Sequence, residues 1–187
     1  MIQGKDELKY YLSADLISSG KEFTLLHWLK DPVLRYQIIL RKYEYYINSK
    51  QIGLARIMRL YFRYRHHMLT YSLGISIPPN VFGPGLAIVH YQGIIVSSRA
   101  KVGKNCRIHS GVNIGAWKGK APTLGDNVYL GPGAKLIGDI HVGDRCVIGA
   151  NAVVCKDVPA DVTVAGVPAT IISNNNSLGI VIDYESQ

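Results

Sequence analysis

The stretch "TLGDNVYLGPGAKLIGDIHVGDRCVIGANAVV", residues 123–154, sets an aliphatic residue at every sixth position: Leu124, Leu130, Leu136, Val142, Ile148 and Val154. Four residues after each comes a small or apolar side chain: Val128, Ala134, Ile140, Cys146, Ala152 and Val158. A helix repeats every 3.6 residues and a strand every 2.0, so a period of six is neither. It predicts a solenoid of short strands, each turn pointing aliphatic residues inward and spending glycine or polar residues at its corners. The same spacing runs back through Ile114, Ile108, Val102 and Val96, with Val112, Cys106 and Ala100 as partners. The frame breaks once. After Ile114 the next slot is residue 120, but the aliphatic arrives at Leu124, so "AWKGKAPT", residues 116–123, is expected to bulge as a loop.

Residues 1–72 carry a different period. Ile39, Tyr43, Tyr46 and Ile47, then Ile57, Leu60, Tyr61, Tyr64 and Met68, recur at three and four positions and predict helices. Asp31 and Pro32 read as the cap and first turn of one helix, and residues 48–53 as the break before the next. The expected organisation is an α-helical segment over 1–72, the β-solenoid over 73–172 and a tail over 173–187.

A hydrophobic content of 48% with 18% charged residues fits an ordered globular chain. The opening residues mix charges without an apolar run, which does not read as a secretory signal. Three cysteines without a C-x-x-C pair read as reduced thiols of a cytoplasmic protein, not a zinc site. The net charge is +8, and no acidic residue lies between Glu44 and Asp126, a span holding eleven Lys or Arg. That imbalance points to an anionic partner or to a solvated cationic surface. Arg56, Arg59, Arg63 and Arg65 stud the last helix, so peripheral membrane association stays open, whereas no nucleic-acid-reading motif is present.

With the hexads, the segments "HYQGIIV" (residues 90–96) and "AGVPA" (residues 165–169) resemble the hexapeptide-repeat acyltransferases, specifically their serine acetyltransferase branch. Within it the chain is most similar to shorter members associated with surface-polysaccharide synthesis. The resemblance covers residues 75–172. It implies a mainly β fold, a left-handed parallel β-helix with three hexads per coil, and a homotrimer with sites between subunits. It also implies acetyl-CoA as cosubstrate and no metal.

His90 matches the family's catalytic histidine, which takes the proton of the acceptor hydroxyl as it attacks the thioester. The six-residue frame carried back from Val96 gives position 90 an inward slot. Either the ring is buried with hydrogen-bond partners, or Gly93 breaks the frame and turns it outward. His109, about one coil later, is expected beside His90 or as a solvated corner residue. Trp117, Lys118 and Lys120 on the extruded loop are candidates to stack on a ring and meet phosphates, or incidental surface residues. By resemblance the cosubstrate lies along Gly115, Ala116, Pro132, Ala150, Lys156, Ala165, Gly166 and Pro168, with oxyanion donors near Gly115 and Ala116.

The chain departs from the family where the family has carboxylates: Val89 stands immediately before the histidine and Ile75 fifteen residues earlier. The family's second active-site histidine, near the loop, has no equivalent here either. A carboxylate orients an imidazole and neutralises an amino acid's ammonium. Its absence leads to the expectation of an uncharged acceptor hydroxyl, on a sugar of a glycan intermediate, unless an acid comes from beyond residue 125 or from a neighbouring subunit. L-serine acetylation is the alternative, a non-catalytic scaffold a further one. Zinc chemistry on His90, His109 and His141 is disfavoured because they offer no close pair on one coil.

Overall fold

The computed structural model describes residues 1–49 and 53–186, with no side-chain description for Ser186. Lys50, Gln51 and Ile52, the centre of the expected helix break, lie outside the described residues.

Five short strands stack in parallel as the first wall of a triangular solenoid: Ile75–Ser76, Ile94–Val96, Asn113–Gly115, Lys135–Ile137 and Val153–Val154. The second wall holds Lys101–Val102, Thr123–Leu124 and His141–Val142, extended by single bridges at Phe82 and Val158. The third stacks Ala87–Ile88, Arg107–Ile108, Tyr129–Leu130, Val147–Ile148 and Thr163–Gly166. In each wall the hexad aliphatics stand in register, as in the column Ile88, Ile108, Leu130, Ile148 and Val164, all at most 2% exposed. A coil can sit on its neighbour only where backbones approach closely. At Gly103 a Cβ would lie 2.6 Å from the carbonyl oxygen of Gly125 in the next coil.

The frame breaks in more places than the sequence pattern implied. Between Ile88 and Val96 the chain inserts two residues beyond a hexad at the corner carrying His90 and Gly93. After Val154 the second-wall slot is filled by Val158, two residues early, opposite Val142. Pairing register tolerates such insertions because they are absorbed at corners, outside the ladders. The last strand turns back: Ala169–Ser173 pairs antiparallel with Thr163–Gly166, with a bulge between Thr163 and Val164.

Four helices precede the solenoid: α1 (Lys5–Ser18), α2 (Leu25–Lys30), α3 (Pro32–Asn48) and α4 (Leu54–Leu73). The Asp31 carboxylate accepts from the N–H groups of Val33 and Leu34, capping α3. This helix fastens the bundle to the first coil. Gln37 donates to Leu86 O at 2.6 Å, the Tyr36 hydroxyl accepts from Ile77 N–H, and the buried Arg41 donates to Phe82 O and Gly83 O. Helix α4 packs on α3 by stacking Phe62 on Tyr46 (5.2 Å between centroids). Leu73 joins the core at its end, but Ile57, Leu60, Tyr61, Tyr64 and Met68, which the three-four spacing marks as one face, are all exposed. A stripe at helical spacing identifies a face and says nothing of what covers it.

The tail runs back along the corner between the second and third walls. Ser177 donates from its N–H to Arg145 O and from its hydroxyl to Asn127 O. Asn105 donates to Asp183, Lys104 pairs with Glu185 at 3.0 Å, and the Tyr184 ring meets Tyr10 of α1. Asn105, Asn127, Arg145 and Asp161 hold left-handed backbone at this corner, a conformation Asn and Asp tolerate better than most residues.

Candidate active site

The corner between the third and first walls carries the histidines. Ile88 takes the inward slot, Val89 donates its N–H to Ile108 O (3.0 Å), and the inserted residues turn His90 into solvent. Of the two readings of position 90, the broken frame is the one observed. His109 sits one coil below, its ring centroid 6.1 Å from that of His90 at an interplanar angle of 63°. Its other side packs on Tyr129 at 5.1 Å. The Nε2 atom of His109 is buried and has no hydrogen-bond partner among the described residues. Burial lowers the pKa of this imidazole, and the charges of Arg107 and His90 lower it further.

The same corner continues downward through Pro132, Ala150, Ala165 and Gly166. Hydrogen bonds link successive coils along it: Gly111 to Gln92, Gly133 to Ser110, and Asn151 to Pro132. Pro168 follows in the turn that starts the returning strand, after a cis peptide bond. The small residues there leave backbone groups accessible beside the histidine pair.

The other candidates stand on a different corner. Gly115 ends a first-wall strand, and Ala116 with the extruded loop bridges to the second wall at Thr123. The loop is a tight hairpin in which Trp117 and Lys120 exchange both backbone hydrogen bonds, held by Arg99 donating to Gly119 O at 2.7 Å. Trp117 is 64% exposed, Lys118 is exposed with left-handed backbone, and Lys120 is ion-paired to Asp139. Lys156 is exposed further down this corner, after Val153–Val154. Within one chain, then, the site residues fall on two corners separated by the width of the first wall.

Ile75 is fully buried in the core and Val89 half-buried, so neither family carboxylate position presents a polar group to His90. Among the described residues no carboxylate forms an ion pair or hydrogen bond with His90, His109 or Arg107. No three His, Cys, Asp or Glu side chains converge among them as a metal cluster. Sequence reasoning passed over Arg107 and Tyr129. The signal was there: Arg107 is two residues before His109, and Tyr129 pairs with Arg107 in the next coil.

Residues 121–156 match the family described as bacterial transferase hexapeptide (six repeats). The chain is 40% identical over 124 residues to a serine acetyltransferase of Helicobacter pylori, covering 63% of this chain and 72% of that relative. It is 40% identical over 111 residues to a serine acetyltransferase of Synechococcus elongatus, covering 57% of this chain and 46%, or about half, of that protein. The serine acetyltransferase of Brucella abortus in complex with coenzyme A superposes with a TM-score of 0.70 at 27% identity, over 92% of this chain and 70% of that one. The Neisseria gonorrhoeae enzyme in complex with serine superposes with a TM-score of 0.68 at 26% identity, over 90% and 70%. The fold and the repeat define a left-handed β-helix of the hexapeptide-repeat acyltransferase class. The chain belongs to the serine acetyltransferase family within that class.

These relatives overturn one expectation. They are named serine acetyltransferase, which supports the alternative acceptor over a sugar hydroxyl in polysaccharide synthesis. The missing carboxylates remove one way of neutralising an ammonium, but they do not select a sugar. No helix among the described residues is long and apolar enough to cross a membrane.

Proposed function

We propose that this chain is an acetyl-CoA-dependent O-acetyltransferase with L-serine as acceptor. The observation that carries the reading is the solvent-facing His90 on a coil corner, in a chain of the serine acetyltransferase family. An alcohol is a poor nucleophile at neutral pH, and imidazole is the side chain whose ordinary titration range brackets that pH. His90 takes the hydroxyl proton as the oxygen attacks the thioester carbonyl carbon. The tetrahedral oxyanion collapses, the C–S bond breaks, and the imidazolium returns its proton to the departing thiolate. General-base assistance of this kind contributes about 10²–10⁴-fold.

The division of the candidates between two corners supports a homotrimer, in which one subunit's histidine corner faces another's Gly115, Ala116 and loop. In that groove Gly115 and Ala116 would offer N–H groups to the oxyanion. The pantetheine arm would run along Pro132, Ala150, Ala165, Gly166 and Pro168. Lys118 and Lys156, cations without an ion pair among the described residues, suit the nucleotide phosphates, with Trp117 against the adenine ring.

The test is free-thiol release from acetyl-CoA with L-serine present. The His90→Ala variant should lose about 10²–10⁴ in turnover while its affinity for coenzyme A stays within about twofold. Unchanged turnover in the variant, or no serine-dependent thiol release by the parent, overturns the reading.

A further inference from the structure

The corner holding His90 and His109 carries cations without a matching anion. Arg107 lies half-buried on the outer face of the third wall, between Ala87 above and Tyr129 below. Its guanidinium takes part in no ion pair and no hydrogen bond among the described residues. His109 follows the strand Arg107–Ile108 at the corner, close enough for the arginine's charge to be felt at the imidazole. Lys135 brings a second cation to the same corner, its ammonium on Gly111 O at 2.5 Å.

A guanidinium without a partner is free to take an anion, and its planar fork matches a carboxylate. Next to it, the buried Nε2 of His109 also lacks a partner among the described residues. Both belong to the corner that exposes His90.

Building on the serine reading, we propose that Arg107 holds the acceptor's carboxylate and that the acceptor's ammonium is not read. The acceptor class is therefore a small hydroxy-carboxylate, amino or not. With Ile75 and Val89 where the family has acids, this chain recognises the anionic end of the molecule through a strand residue of its own wall. Arg107 is a specificity residue. The proton transfer remains with His90.

Three acceptors separate the contributions: L-serine, L-serinamide, which lacks the carboxylate, and 3-hydroxypropanoate, which lacks the ammonium. A charge-assisted pair corresponds to about 10- to 100-fold. Serinamide should fall below serine in kcat/KM by about that factor, with 3-hydroxypropanoate within about threefold of serine. Arg107→Gln should raise KM for serine by the same factor with a smaller change in kcat, and leave serinamide unchanged. Arg107→Lys should recover part of the loss. Serinamide turning over as well as serine, Arg107→Gln lowering both equally, or 3-hydroxypropanoate losing as much as serinamide would each overturn the assignment. Calorimetric titration of 3-hydroxypropanoate into the protein–coenzyme A complex keeps this inference separate from the activity. Binding that disappears in Arg107→Gln sustains it even if no acceptor is acetylated, in which case the serine reading falls. An absence of binding together with an absence of turnover overturns both.

Discussion

Arg41 ties the helices to the solenoid, and its removal has a calculable outcome. The side chain is fully buried. Its Nε and Nη2 donate to the two Asp15 oxygens at 2.8 and 3.1 Å, and Nη1 donates to Glu44 at 2.9 Å. The Tyr11 ring lies 4.9 Å from the guanidinium carbon. Asp15 in turn accepts from the N–H groups of Gly85 and Leu86, and Glu44 from that of Asn80. Arg41→Met keeps the bulk but strands two buried carboxylates side by side and leaves the Phe82 and Gly83 carbonyls without this donor. Breaking a buried pair in this way costs about 3–5 kcal/mol, a large part of the 5–15 kcal/mol that typically separates folded from unfolded states. Guanidinium unfolding followed by circular dichroism at fixed protein concentration measures it. Burial already raises the Asp15 pKa against the pull of Arg41. Without that pull the folded state binds protons more readily than the unfolded one, so the variant's deficit should narrow as pH falls from 7 to 5. A loss below about 1 kcal/mol, or a deficit indifferent to pH, would refute the reasoning. Asp15→Leu should not repair the variant, since it orphans the N–H groups of Gly85 and Leu86.

Other outcomes follow from the same packing. His66, enclosed by Tyr36 and Tyr43, has its pKa lowered by burial to about 4, so the unfolded chain takes up a proton that the folded one refuses. Stability from this group is complete above about pH 6.5 and is lost down to about pH 4, roughly 2 kcal/mol of it between pH 7 and 5; His66→Gln should flatten that slope in urea titrations. Gly103→Ala drives a Cβ into the backbone of the next coil and should cost about 1–3 kcal/mol in chemical denaturation. Cys155 is exposed, while Cys106 and Cys146 are buried and burial raises both thiol pKa values. A thiol reagent should therefore modify one cysteine in the native protein and all three in denaturant.

The walls were legible because each wall position recurs along the chain, so the Leu124-to-Val154 series needs no neighbour to be interpreted. Corners were not, since an insertion there changes no pairing. The two residues added around His90 left the hexads intact on both sides, and the frame alone could not tell a buried ring from an exposed one. The candidate site was readable as a set of residues but not as an arrangement. Pro132 and Ala150 share an edge with His90, while Gly115, Trp117 and Lys156 occupy another, and no spacing rule says which edges of different subunits meet. The outer side of α4 was misleading for a related reason: Leu60, Tyr64 and Met68 have the spacing of a packed stripe yet face outward.

A parallel stack has no natural end, because its final rung offers the same unpaired amides and carbonyls that the preceding rung used to recruit it. Here the third wall finishes with a strand of reversed direction and a bulge. Another coil would have to match antiparallel geometry in a shifted register to continue the series. On that wall the reversal removes the parallel template that a further rung would need.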